Sequence, residues 1–215
     1  MRTSQQGTHD GLCGLYSVIN AAKQLGIRDD QGSLYANLFQ WLLDGVPSSR
    51  LPKAITEGLT SDELVMAARH AFQKLKRRHQ VSLRLRQPFV QRAFENSKRF
   101  ADETRTFLAV PDTVVIICLQ LPTSCHWSVV RRANSRSITL RDSDDLDAIQ
   151  LADFGVDSGR RHIRTADTLV IDRRSWLRTS HARDLIQNHH GLDAERGDNA
   201  QELNDVQSLT ALFVL

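Results

Sequence analysis

Thr113-Val-Val-Ile-Ile-Cys-Leu-Gln-Leu121, bounded by Pro111 and Pro122, is a continuous apolar and β-branched run, and it reads as a strand buried on both faces at the centre of a sheet. A hairpin partner follows at once. After the short connection Pro122-Thr-Ser-Cys125, the segment His126-Trp-Ser-Val-Val-Arg131 is strand-like, Ala133-Asn-Ser-Arg136 reads as a turn, and Ser137-Ile-Thr-Leu-Arg-Asp142 alternates as another strand. Ile138, Leu140 and Asp142 share one face by the period of two, so the Asp142 carboxylate points where apolar side chains point and needs a partner there. His126 opens the preceding antiparallel strand, close to where the next one ends, and is well placed to be that partner. Asp144 and Asp145 compete for the role. Parity keeps Asp144 on the same face but further past the strand end, and Leu140 anchors the register in favour of Asp142.

A second informative stretch lies at the amino terminus. Gln6-Gly-Thr-His-Asp-Gly-Leu-Cys13-Gly-Leu-Tyr-Ser-Val-Ile-Asn20 turns from a polar, glycine-rich approach into a helical pattern at the cysteine. Leu15, Val18, Ile19, Ala22 and Leu25 recur at helical spacing, which predicts a helix over about 12–25 with one face on a core. Cys13 then sits in the first turn, where unpaired N–H groups and the positive dipole end favour a thiolate, and Gly11 and Gly14 leave the sulfur uncrowded. The plainer alternative is a packed, inert core thiol. A Cys/His pair whose imidazole is oriented by a carboxylate is the arrangement that activates a thiol for attack and later protonates the leaving group.

With the order Cys13, His126, Asp142, a helix N-terminus bearing the cysteine and adjacent strands bearing the other two, the chain resembles the papain-like cysteine peptidase superfamily. Asp-Gly-Leu-Cys-Gly at residues 10 to 14 is similar to the Gln…Asp-Cys-Gly box of bacteriocin-processing peptidases. His126-Trp-Ser-Val-Val with Ile-Thr-Leu-Arg-Asp142-Ser resembles the His-Trp…Asp-Ser hairpin of ubiquitin-like-protein proteases, although those place their cysteine last. The motifs cover about residues 5–22 and 113–143. The resemblance implies an α+β papain-like fold, with an N-terminal catalytic helix and a helical region packed on an antiparallel sheet. It also implies an oxyanion-hole glutamine a few positions before the cysteine. Gln6 takes that role and Gln5 is the alternate, in a register longer than the family's usual one.

The remaining sequence is consistent with one modest enzyme. The chain has 215 residues, 40% hydrophobic and 25% charged, with a formal net charge of +3, which falls within globular usage. No fixed-period repeat, long apolar run or cleavable leader is read, so the expected location is cytoplasmic, or the cytosol of a host or target cell reached without a cleaved signal peptide. Three cysteines without a Cys-x-x-Cys fit a reducing compartment better than a disulfide framework. Cys118 reads as core. Cys125, beside His126, is a rival thiol, but it lacks a helix dipole and should point away from its neighbour.

Leu34, Leu38, Trp41 and Leu42 mark a helix stopped by Gly45 and Pro47, and Thr60-Ser-Asp-Glu63 is a capping-box signal opening a second. Its basic end, Lys74, Lys76, Arg77, Arg78 and His79, with Arg84 and Arg86 on a following strand, is the one cluster that suits nucleic acid or an acidic surface. Solvated cations at a helix end explain it more simply, no aromatics interleave it, and nucleic acid is disfavoured as a partner. Thr168 to Ile171 reads as a strand and Trp176 to Ile186 as a helix. The polar, glycine-broken run from His189 leads to an apolar tail, Leu209 to Leu215. The expected division is a hydrolase domain over 1–188 and a flexible segment with a docked tail over 189–215. His181, His189 and His190 lack further ligands at site-forming spacing, so no metal and no cofactor is expected.

The function expected is a cysteine hydrolase cleaving a peptide or isopeptide bond through a thioester acyl-enzyme, on a protein or peptide substrate, with a ubiquitin-like modifier among the candidates. Cys13, His126, Asp142 and Gln6 carry it. A papain-like glutamine deamidase or acyl transferase of the toxin or effector type would use the same residues. A non-catalytic protein- or nucleic-acid-binding domain, with Cys13 merely structural, is the alternative from another class.

Overall fold

The computed structural model describes residues 3, 11–30, 32–144 and 146–173. These belong to one unit of the chain, Met1–Arg174. The expected helix over 176–186, the histidines after it, the apolar tail and the boundary at 188/189 lie outside the described residues.

In chain order the elements are α1 (Cys13–Gln24), α2 (Leu34–Asp44), α3 (Leu51–Glu57), α4 (Ser61–His79), β1 (Leu83–Arg86), α5 (Ser97–Leu108), β2 (Thr113–Gln120), β3 (Cys125–Ala133), β4 (Ser137–Arg141), β5 (Ala148–Gln150), β6 (Gly155–Val156) and β7 (His162–Arg173). The strands form one sheet in the order β1-β7-β2-β3-β4-β5, antiparallel throughout except for the short parallel pair of β6 with β7. Mixed helix and antiparallel sheet is thus the fold class.

β2 is a central strand because both its faces are covered. Val114, Ile116 and Cys118 pack with the residues of α1, α2 and α4, including Leu15, Val18, Leu38, Leu42, Leu64 and Leu75. Val115, Ile117 and Leu119 face the other way, into a core with Phe89, Phe100, Ile138, Leu140 and Ile163. A strand buried on both sides has no polar face to show, which is why its sequence is an unbroken apolar run. The second core is the α5 side, where Phe89 meets Phe94, Phe100 and Phe107 in edge-on contacts.

Local signals account for the helix ends. Thr60 Oγ1 accepts from the Glu63 N–H while a Glu63 carboxylate oxygen accepts from the Thr60 N–H, closing the capping box at α4. Arg50 clamps the same glutamate with two guanidinium hydrogen bonds. These, above all the Arg50 hydrogen bond, bring the Glu63 carboxyl down to about 2 despite some desolvation. The Asn96 side chain caps α5 by accepting from the Arg99 N–H at 2.9 Å. In the basic cluster, Arg86 pairs with Asp172 at 3.1 Å and Arg78 lies over the Trp41 ring.

Candidate active site

Cys13 is the first residue of α1, so its backbone N–H has no acceptor within the helix and points outward from the N-terminus. The preceding Leu12 supplies no side-chain cap. Gly11 donates its N–H to the Ile55 carbonyl at 2.5 Å, and a Cβ at Gly11 would lie 2.6 Å from the Gly58 nitrogen. The α3 end therefore presses backbone against backbone here, and only glycine fits. At Gly14 a Cβ would touch Leu64 and the Trp127 ring. Both glycines thus serve close packing around the start of α1. The sulfur itself is not left open: Cys13 is 4% exposed and belongs to the helix-side core. The Trp127 N–H donates to Cys13 Sγ at 3.5 Å.

His126 stands second in β3, and Asp142 follows the last residue of β4. The β3–β4 register pairs Val129 with Arg141 and Val130 with Leu140. Continued one step, it sets Asp142 opposite Ser128, on the face shared with His126, so the carboxylate reaches the imidazole diagonally. His126 Nε2 and Asp142 Oδ2 are 2.7 Å apart, with side-chain exposures of 9% and 1%. Asp142 Oδ1 accepts from the Asp144 N–H at 2.7 Å and from the Leu146 N–H at 3.4 Å. The loop after β4 thereby wraps around the carboxylate and fixes it. The buried Ser128 hydroxyl lies near the same carboxylate without completing a hydrogen bond of good geometry.

The electrostatics follow from this enclosure. Burial alone would lower the His126 pKa, but hydrogen bonds to Asp142 and to Cys13, with the charges of both, outweigh it and push the imidazole up to about 10. Burial alone would raise the Asp142 carboxyl. The His126 hydrogen bond and charge, helped by the Asp144 amide, bring it below its ordinary value. With Nε2 held by the carboxylate, Nδ1 is the ring nitrogen left for the Cys13 sulfur. Of the three side chains, His126 and Asp142 touch directly, and the Cys13 sulfur is held at the N–H of Trp127, the residue after His126.

The supporting contacts were not evident in the sequence. Ser17, one turn after Cys13 on α1, donates from its fully buried hydroxyl to the Trp127 carbonyl at 2.8 Å. Trp127 Nε1 donates to the Leu59 carbonyl at 3.2 Å. Trp127 thus ties the cysteine helix and the residue before the α4 cap to the strand that carries His126. Ser17, at Cys13 plus four, shares the thiol's face of α1 and lies off the apolar stripe of Leu15, Val18, Ile19 and Ala22, so the period that marked the helix did not mark the serine.

Asp144 is exposed and contributes its backbone amide, not its carboxylate. Asp145, Gln5 and Gln6 lie outside the described residues. Cys118 is buried and Cys125 exposed. A cavity of about 520 Å3 lined by Pro122, Asp153, Arg160 and Arg161 opens by the β2–β3 turn and does not include Cys13. Among the described residues no group of three His, Cys, Asp or Glu side chains could hold a metal ion, and no helix is long and apolar enough to cross a membrane. Comparison with models of protein families gives no match, and comparison with curated proteins gives none either.

Proposed function

We propose that this chain is a cysteine hydrolase of papain-like fold, cleaving a peptide or isopeptide bond in a protein or peptide substrate. The observation that supports it is the convergence of Cys13, His126 and Asp142, with His126 Nε2 held 2.7 Å from a buried carboxylate and the Cys13 sulfur accepting from the N–H of Trp127, the residue next to His126, at 3.5 Å. In this mechanism the Cys13 sulfur attacks the carbonyl carbon as its proton resides on His126, and a tetrahedral oxyanion forms. The Cys13 N–H, directed by the helix start, and the side-chain amide of Gln6, with Gln5 as alternate, donate to that oxyanion. Collapse breaks the C–N bond, His126 protonates the departing amine, and a thioester remains. His126 then takes a proton from water as it attacks the thioester, and Cys13 leaves with its proton restored.

Asp142 orients the ring and stabilises the imidazolium throughout. A ubiquitin-like modifier is one substrate class that carries such an amide. A cytosolic setting suits a chemistry that depends on a free thiol.

The test is hydrolysis of fluorogenic peptide amides and of a ubiquitin-like protein carrying a fluorogenic C-terminal amide, with ammonia release from glutamine-containing protein measured alongside. Cleavage that disappears in Cys13→Ala and falls by about 10²- to 10⁴-fold in His126→Ala is expected. Cleavage unchanged in Cys13→Ala would overturn the assignment, and ammonia release without cleavage would transfer the same residues to a deamidase.

A further inference from the structure

The other two cysteines form a second constellation, which shares no residue with the triad. Cys118 lies in the middle of β2 and Cys125 opens β3. The register sets Trp127 opposite Cys118 and Gln120 opposite Cys125, so the two thiols occupy the same sheet face as diagonal neighbours. Arg164 of β7 pairs with Cys118 from the other side, and its Nη1 donates to Cys125 Sγ at 3.4 Å. The guanidinium is itself fixed by Asp167, Nε to Oδ2 at 2.5 Å. Gln120 Oε1, 3.0 Å from the Cys125 sulfur, accepts the S–H while the thiol is neutral. Once the proton is gone, the Arg164 N–H remains aimed at an exposed sulfur, an arrangement that favours the reactive thiolate.

We propose that Cys125 is a thiol-modification site, attacking low-molecular-weight disulfides to form a mixed disulfide on the surface of the protein. In the step, the Cys125–sulfur bond forms, the S–S bond of the small disulfide breaks with its electron pair going to the leaving sulfur, and one small thiolate departs. The incoming disulfide is the oxidant and is reduced to that thiolate. Hydrogen bonding from Cys118 brings Cys125 down to about 5; partial burial opposes this, and the Arg164 hydrogen bond and charge reinforce it. Donation to Cys125 and burial correspondingly hold Cys118 as a thiol. Cys118 is a poor resolving partner on a second ground. Diagonal neighbours in an antiparallel pair sit about 7–8 Å apart, beyond the roughly 4.4–6.8 Å that a disulfide spans between Cα atoms, so the adduct persists instead of closing into an internal bridge.

The experiment incubates the full chain, and separately its Cys13→Ala variant, with glutathione disulfide across pH 5 to 9, and maps adducts to individual cysteines by peptide mass spectrometry. The adduct is expected on Cys125 in both chains, released by dithiothreitol, with a rate already on its plateau at neutral pH. Arg164→Gln should slow the reaction about tenfold at pH 6 and shift the profile upward, and Arg164→Lys should restore part of the rate. A rate at Cys125 still climbing through about pH 8.5, as for an ordinary thiol, would overturn the proposal. So would an unmodified Cys125 or an internal Cys118–Cys125 disulfide. The wild-type profile decides even if an Arg164 variant fails to fold. Because Cys13→Ala leaves this site intact, loss of the hydrolase assignment would not touch it.

Discussion

At the scale of single residues, the enclosure of His126 has a consequence for pH. Its folded pKa, about 10, stands above the ordinary 6.5. The stabilisation from its charged partners is therefore complete below about pH 6.5 and is lost as pH rises toward 10. Thermal denaturation of the wild type and His126→Gln should show a gap in melting temperature that is constant in mild acid and closes between those values; a gap that stays constant from 6.5 to about 10 would show the imidazole to be neutral in the fold. Asp142 works in the opposite sense. Its carboxyl is lowered, so its contribution is present above the ordinary value of 3.8, is lost as pH falls from there through the folded pKa, and is gone below it. Asp142→Ala should slow turnover on the order of 10²-fold, while Asp144→Ala, which keeps the backbone amide that binds Asp142, should cost less than about threefold. A more damaging Asp144→Ala would mean that the two carboxylates exchange roles. Cys13 is packed more tightly than its glycine-rich setting implied, so Cys13→Ala carries a structural cost as well, about 1 kcal/mol. A fall of roughly 2–4 °C in melting temperature is expected alongside loss of activity.

At the scale of elements, the decisive tie is between α1 and β3. A helix N-terminus delivers Cys13 and a strand delivers His126, and nothing in either element alone fixes their separation. The buried Ser17 hydroxyl on the Trp127 carbonyl does so, one turn from the thiol and one residue from the imidazole. Ser17→Ala should reduce kcat about tenfold or more with KM little changed, at a stability cost of about 1–2 kcal/mol measured by urea denaturation. Loss of stability with full kcat would make the serine structural only. Thr60→Ala is the matching control, because it removes a helix cap worth about 1 kcal/mol and should leave kcat alone. Both helix and hairpin were legible because their signals are local: the capping box, the apolar stripe of α1, and the period-two placement of Asp142. α5 and the first half of β7 were not. The Asn96 cap is followed by only three buried positions, Phe100, Ala101 and Thr104, within a strongly charged helix. From His162 to Asp167, β7 mixes Arg164 and Asp167 with small residues, and it pairs with β2 across a register shift that sequence alternation alone does not reveal.

Across the whole molecule, the sheet order explains why residues far apart in sequence converge. β7 inserts between β1 and β2, leaving β3 and β4 adjacent beyond them, and the helical layer of α1, α2 and α4 covers the face on which α1 meets β3. The apolar run of β2 marked the centre of that sheet, but no spacing rule announced that the last described strand would sit beside it, since that placement depends on long-range pairing. The central claim is that Cys13 is activated by His126. Its most direct measurement is the rate of iodoacetamide alkylation at Cys13 near neutral pH, followed by peptide mapping in a Cys125→Ser chain so that the exposed thiol does not compete. Alkylation of Cys13 well ahead of Cys118, slowed about tenfold or more when His126→Ala is added, is the predicted result; a Cys13 as inert as Cys118, or one indifferent to His126, would contradict it.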